Sequence, residues 1–110
     1  MKIHELAAAL GFEIVTLPDP DAEVCGCYTG DLLSWVMGRA AEGNVWITIM
    51  TNINIVAVAS LSGASAITVA EGLELSDDVI NAANSQNVNI LRSKLPSFET
   101  ALAVGRLIAE

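Results

Sequence analysis

Apolar and polar positions along this chain switch between a helical rhythm and short continuous runs, and the switch points divide it into brief alternating elements. Ile3, Leu6, Ala7 and Leu10 fall at i, i+3, i+4 and i+7. That spacing predicts one face of a short helix, with Gly11 as its C′ residue and with His4 and Glu5 off the face in solvent. Phe12–Leu17 (FEIVTL) reads as a strand with β-branched residues, and Leu17-Pro18-Asp19-Pro20-Asp21 as a turn. Glu23–Tyr28 is a shorter strand interrupted by Gly26.

A helix is expected to open at Thr29 or Gly30. Asp31 would sit in its first turn, where a carboxylate meets the positive end of the dipole. Leu33, Val36, Met37 and Ala40 would form the buried stripe, Trp35 would lie half exposed beside it, Gly38 would mark close packing and Gly43 would end the helix. Val45–Met50 is a continuous apolar run with Thr48, as expected of a strand covered on both faces. Asn52 is placed to cap a following helix whose buried face is read as Ile53, Val56, Ala57 and Ser60, ending at Gly63. This segment is rich in Val and Ile, so tertiary burial must hold it as a helix.

Ala66–Ala70 is the next strand, and Glu71-Gly72 turns the chain. Ser76 caps a helix with Asp77 and Asp78 in its first turn and Val79, Ile80 and Ala83 toward the core. Val88–Leu91 is a further short strand. Pro96 and Ser97 open a last helix with an apolar face of Phe98, Ala101, Leu102, Gly105 and Ile108. Alternation of helix and strand from Asp31 onward predicts an α/β fold. It would be a three-layer α/β/α arrangement with a mostly parallel sheet of four to five strands, organised around the Val45–Gly72 crossover. The whole chain, residues 1–110, is read as one domain.

Composition narrows the function classes. Thirteen acidic and five basic residues give a formal charge of −8. Lys2, Arg39, Arg92, Lys94 and Arg106 are scattered, so a phosphate-tracking surface and nucleic-acid binding are not expected. No apolar run reaches membrane-spanning length, and the first residues lack the long apolar stretch of a signal peptide; a cytoplasmic protein is expected. Cys25 and Cys27 form C-x-C rather than C-x-x-C, and the only histidine is His4. Two small buried hydrophobes are the expectation, with no metal site and no cofactor.

The runs GDLLSWVMGRA, VWITIMTNINIVAVASL, AITVAEGLELSDDVI and NILRSKLPSFETALAVGRLI resemble the DRTGG domain family over Cys27–Ile108. The resemblance implies a fold similar to the N-terminal domain of HPr kinase/phosphorylase, and a non-catalytic regulatory or accessory module that often self-associates. Members of the family occur beside CBS domains in some pyrophosphatases. Stand-alone relatives imply a protein partner in anaerobic redox metabolism, near iron-only hydrogenase components. The eponymous Asp-Arg pair is replaced here by Thr51-Asn52. The Thr-Gly-Gly aligns with Ala70-Glu71-Gly72, which retains only the last glycine.

In an open parallel sheet, ligands bind at the carboxyl ends of the strands. Thr29, Gly30, Asp31, Thr51, Asn52, Glu71 and Gly72 are therefore the candidate ligand-binding residues, with Asn54, Ser93 and Lys94 nearby. Helix capping alone also accounts for Thr29, Asn52 and Ser76. A nucleotide or phosphate would need a cation to bridge Asp31 and Glu71. No phosphate-binding glycine loop and no Cys–His or Ser–His–Asp set is present, so no catalytic residue is assigned. The alternative is a small nucleotide- or phosphate-handling enzyme using Asp31, Asn52 and Glu71. Trp35, Val36, Met37 and Trp46 suggest a homodimer interface; the competing reading places both tryptophans in the core.

Overall fold

A computed structural model describes residues 1–109. The elements follow in the order α1 (Ile3–Leu10), β1 (Glu13–Thr16), β2 (Cys27–Thr29), α2 (Leu33–Arg39), β3 (Val45–Thr48), α3 (Asn54–Ser62), β4 (Ala66–Val69), α4 (Asp77–Ser85), β5 (Ile90–Arg92) and α5 (Ser97–Ile108). Five strands form one sheet in the order β1-β5-β4-β3-β2. The pairs β2·β3, β3·β4 and β4·β5 are parallel, while β1 runs antiparallel to β5. The β3–α3–β4 crossover lies at the centre, as the apolar runs predict.

Side-chain alternation along the central strands feeds two cores. Trp46, Ile67, Val69 and Ile90 pack beneath α2, α3 and α4 with Val36, Ile55, Val56, Val79 and Ala83. Val45, Ile47, Ala66, Ala70 and Leu91 pack on the other side against α1 and α5 through Ile3, Leu6, Ala7 and Val104. β3 and β4 are buried at every position, which is why they read as unbroken apolar runs. Helices thus cover both faces of the sheet.

At the β1–β5 edge the register shifts between Ile14 and Thr16. The Thr16 hydroxyl repairs the ladder there: it donates to the Val88 carbonyl and accepts from the Ile90 N–H, both at 2.9 Å. Further along this edge Arg92 pairs with Glu13 and, at 2.9 Å, with Glu74.

Several local expectations are corrected. Thr29 ends β2 rather than opening a helix, and α2 begins at Leu33 and stops at Arg39, short of Gly43. Gly43 instead turns the chain at φ +83°. Of the predicted α2 stripe only Val36 is fully buried, and Met37 is 44% exposed. A Cβ at Gly38 would meet nothing within 4 Å, so no close packing exists there. α3 buries Ile55, Val56, Val58 and Ala59; Ile53, Ala57 and Ser60 face out. α5 buries Thr100 and Val104, leaving Phe98 70% exposed and Leu102 outside. Of the second predicted strand, Glu23–Tyr28, only Cys27 and Tyr28 join the sheet, continued by Thr29, while Glu23 makes an isolated antiparallel bridge with Lys2, and β5 sits two residues later at its start than expected. Cys25 is exposed rather than buried.

Candidate functional site

The parallel strands deliver four loops to one edge of the sheet. These are Gly30–Leu32 after β2, Ile49–Ile53 after β3, Ala70–Ser76 after β4 and Ser93–Pro96 after β5. All of the sequence-predicted site residues lie there. Backbone bonds tie neighbouring loops: Gly30 N–H donates to the Ile47 carbonyl at 3.1 Å, Glu71 N–H to Leu95 at 2.9 Å and Gly72 N–H to Ser93 at 2.8 Å.

Asp31 is not in a helix first turn. Its Oδ1 accepts from the Thr48 hydroxyl at 2.7 Å and from the Ile49 N–H at 2.9 Å. Thr48 Oγ1 in turn accepts from the Met50 N–H at 3.2 Å. The carboxylate therefore clasps the end of β3 to the β2–α2 loop, satisfying N–H groups that leave the sheet ladder. Trp46 strengthens the same joint from below, its indole N–H donating to the Gly30 carbonyl at 2.9 Å.

Asn52 lies one residue before the position expected of it, since Ile53 takes the N-cap of α3, but its side-chain oxygen still accepts from the Asn54 N–H at the helix start, at 2.9 Å. Thr51 is half-buried, and Thr29 is exposed at the end of the edge strand β2. Ser76 takes the N-cap position of α4, but its hydroxyl bonds the Asp78 carboxylate instead of a backbone N–H, and this bond lowers the Asp78 pKa. Beneath the β5–α5 loop, Ser93 Oγ and Thr100 Oγ1 lie 2.8 Å apart, and Ser93 Oγ accepts from the Leu95 N–H at 3.1 Å.

Glu71 and Gly72 both adopt left-handed backbone, at φ +68° and +65°. Consecutive left-handed residues favour glycine at each position. Gly72 meets this preference; Glu71 holds the other place with an exposed side chain. Glu71→Gly is expected to stabilise the protein by about 0.5–1 kcal/mol, by removing the Cβ penalty of the left-handed region. Differential scanning calorimetry should read this as a rise of roughly 2–5 °C in Tm. An unchanged or lower Tm would show that Glu71 is held by contacts that offset its strain.

The two cysteines divide by environment. Cys25 is exposed, whereas burial pushes the Cys27 thiol up to about 11, against a smaller opposing effect of Thr29. Cys27 is thus a poor nucleophile near neutral pH. Among the described residues no three His, Cys, Asp or Glu side chains converge as metal ligands, and no helix is long and apolar enough to cross a membrane.

The carboxyl edge also carries a feature that helix-face reasoning missed. Leu32, Ile49, Ile53, Leu73, Leu95 and Phe98 are all exposed in or beside these loops. Trp35 adds a 51% exposed indole on α2, with the Arg39 guanidinium 3.7 Å above its ring. Trp46 and Val36, read from sequence as interface candidates, are fully buried core residues. In the sequence these residues keep no fixed place after the strands: Ile49 is first after β3, Leu32 and Leu95 are third after β2 and β5, and Leu73 is fourth after β4.

No family model matches the chain, and no curated protein matches it. Among solved structures it is similar to the CBS and DRTGG domains of the regulatory region of Clostridium perfringens pyrophosphatase, complexed with the activator diadenosine tetraphosphate. The TM-score is 0.69 and the identity 17%, over 90% of this chain and 44% of that one. The chain therefore spans less than half the length of that regulatory region, and the likeness establishes a shared fold.

Proposed function

We propose that this chain is a non-catalytic regulatory or accessory module of the DRTGG type, which self-associates and docks at the carboxyl edge of its sheet. The distribution of exposed apolar side chains carries this reading. Six of the twelve exposed large hydrophobics among the described residues stand at the edge where four loops converge, with Phe98 70% and Leu32 56% exposed. Large apolar residues gathered in this way mark interaction surfaces, whereas isolated ones need no explanation. The polar residues of the same edge already have structural work: Asp31 is engaged by Thr48 and Ile49, and Asn52 by Asn54. The regulatory character of the solved neighbour supports the same class. A protein component of anaerobic redox metabolism is the partner that the family resemblance implies.

A nucleotide or phosphate ligand is the second reading, as a bound effector or as the substrate of a small enzyme. It is supported by the nucleotide activator held by the neighbouring structure and by Lys94 at the same edge.

Sedimentation velocity at micromolar concentration tests the first reading. The native chain should run as a dimer, and the double substitution Ile53→Glu/Phe98→Glu should shift it to monomer with the far-UV circular dichroism spectrum of the native chain retained. A monomeric native chain would remove self-association from the proposal. Thermal shift with ATP, diadenosine tetraphosphate and phosphate, each with and without Mg²⁺, tests the second. A ligand at a hundredfold excess over its Kd should add about 2.7 kcal/mol of stability; no shift across this panel would remove the nucleotide reading.

A further inference from the structure

A cleft of about 560 Å³ opens at the opposite, amino edge of the sheet. Its size falls within the roughly 300–1,000 Å³ of small-molecule sites. Ala59, Ser65 and Val88 form its buried floor, and Asp19, Glu23 and Glu42 stand around it. Among the described residues no lysine or arginine lines it. The backbone contributes the same sign: α3 and α4 end here, and neither has a basic residue in its last turn to offset its negative pole. Glu23 is engaged by the Met1 amino group at 3.5 Å, while Asp19 and Glu42 have no ion-pair partner among the described residues.

Ser65 supplies an independent sign of a missing ligand. It is 3% exposed, and its hydroxyl has no hydrogen-bond partner among the described residues. Ser65 immediately precedes β4, and extending the alternation of that strand by one residue puts it on the same side of the sheet as Ile67 and Val69, the side on which Ala59 and Val88 form the floor. Its Oγ is thus directed toward the cleft base, where buried polar groups ordinarily find a partner.

We propose that this cleft binds a small aliphatic polyamine. Asp19 and Glu42 hold separate ammonium groups, the methylene stem lies over Ala59 and Val88, and Ser65 Oγ accepts from an N–H at the floor. Carboxylates that do not converge as a ligating trio suit spaced organic charges better than a chelated metal. The charge of −8 draws such a cation in. The site shares no residue with the carboxyl edge and stands independently of the function proposed there.

Isothermal titration of the native chain with spermidine at low ionic strength should give saturable one-to-one binding. Asp19→Asn/Glu42→Gln should weaken it by roughly tenfold or more. Asp77→Asn/Glu99→Gln removes the same charge from the far edge and should change the affinity by less than about threefold. Ser65→Ala should lose several-fold in affinity with its Tm retained. Equal weakening in both double variants would reduce the effect to net charge and overturn the proposal. So would the absence of saturable binding at millimolar spermidine, or tighter binding of Mg²⁺ with the same dependence on Asp19 and Glu42.

Discussion

Trp46→Ala is expected to leave the protein unfolded or barely folded at 37 °C. Trp46 is fully buried in the centre of the sheet, in the core shared with Val36, Ile55 and Ile67. Truncation removes the largest buried side chain and costs about 3–5 kcal/mol in transfer and cavity terms. It also strands the Gly30 carbonyl, which the indole N–H holds at 2.9 Å. Domains of this size have only about 5–15 kcal/mol in total. Trp46→Phe separates the two contributions: most of the volume remains, the hydrogen bond goes, and about 1–3 kcal/mol should be lost. Urea melts followed by circular dichroism measure both. A Trp46→Ala midpoint within error of the native one would contradict the packing described for β3.

Asn89→Ala should cost about 2–4 kcal/mol, a large effect for a residue with no apolar surface to lose. Asn89 is buried at the start of β5, and its amide is fully employed. The side-chain oxygen accepts from the Asp19 N–H at 2.9 Å, and the NH₂ donates to the Asp19 carbonyl at 2.7 Å and the Ser65 carbonyl at 3.0 Å. One side chain thus pins the β1–β2 connection to the start of β4. Removing it leaves the Asp19 N–H and the Ser65 carbonyl without partners, each worth about 1–3 kcal/mol when orphaned, while the Asp19 carbonyl keeps the Ala22 N–H at 3.2 Å. Asn89→Asp keeps the acceptor but turns both donations into repulsion between a carboxylate and carbonyl oxygens. That variant should be no more stable than the alanine at neutral pH and should recover part of the loss as the carboxyl protonates in acid. Faster amide exchange at Asp19 than in the native chain would localise the effect. An alanine variant as stable as the native chain would show that water replaces the amide.

Both side chains illustrate what the sequence reveals and what it hides. The order of elements is legible because β3 and β4 are buried on both faces and left unbroken apolar runs, and because Gly11 and Gly63 supply left-handed helix ends. The phase of α3 and α5 is not legible. Both are apolar or small around much of their circumference, so one-dimensional spacing fits more than one stripe, and packing against the sheet chose Ile55, Val56 and Ala59 over Ile53 and Ala57. Asp31 misled for a related reason. A carboxylate shortly before a helix serves a dipole or a loop equally well, and here the Thr48 hydroxyl on a neighbouring strand decided it.

The carboxyl edge could be drawn in advance because topology alone puts the ends of parallel strands together. The left-handed pair Glu71-Gly72 was marked by its glycine and by its place after a strand. The amino-edge cleft had no such marker. Asp19, Glu42, Ser65 and Asn87 are separated by some twenty residues at each step and meet only through the fold. Asn89 likewise looks like an ordinary polar residue before a short strand; its partners lie 70 and 24 positions away.

The antiparallel pairing of β1 with β5 bears on the order of assembly. Glu13 sits opposite Arg92, so this edge requires a closure across most of the chain, while β3–α3–β4 joins its strands through one local crossover. Loop-closure entropy makes the distant pairing the costlier step to begin with. The crossover would nucleate, β5 would dock next, and β1 would arrive late, bringing with it the register shift that the Thr16 hydroxyl repairs. The edge completed last is also the one free to open first: in native-state exchange, the amides of β1 should lose protection before those of β3 and β4.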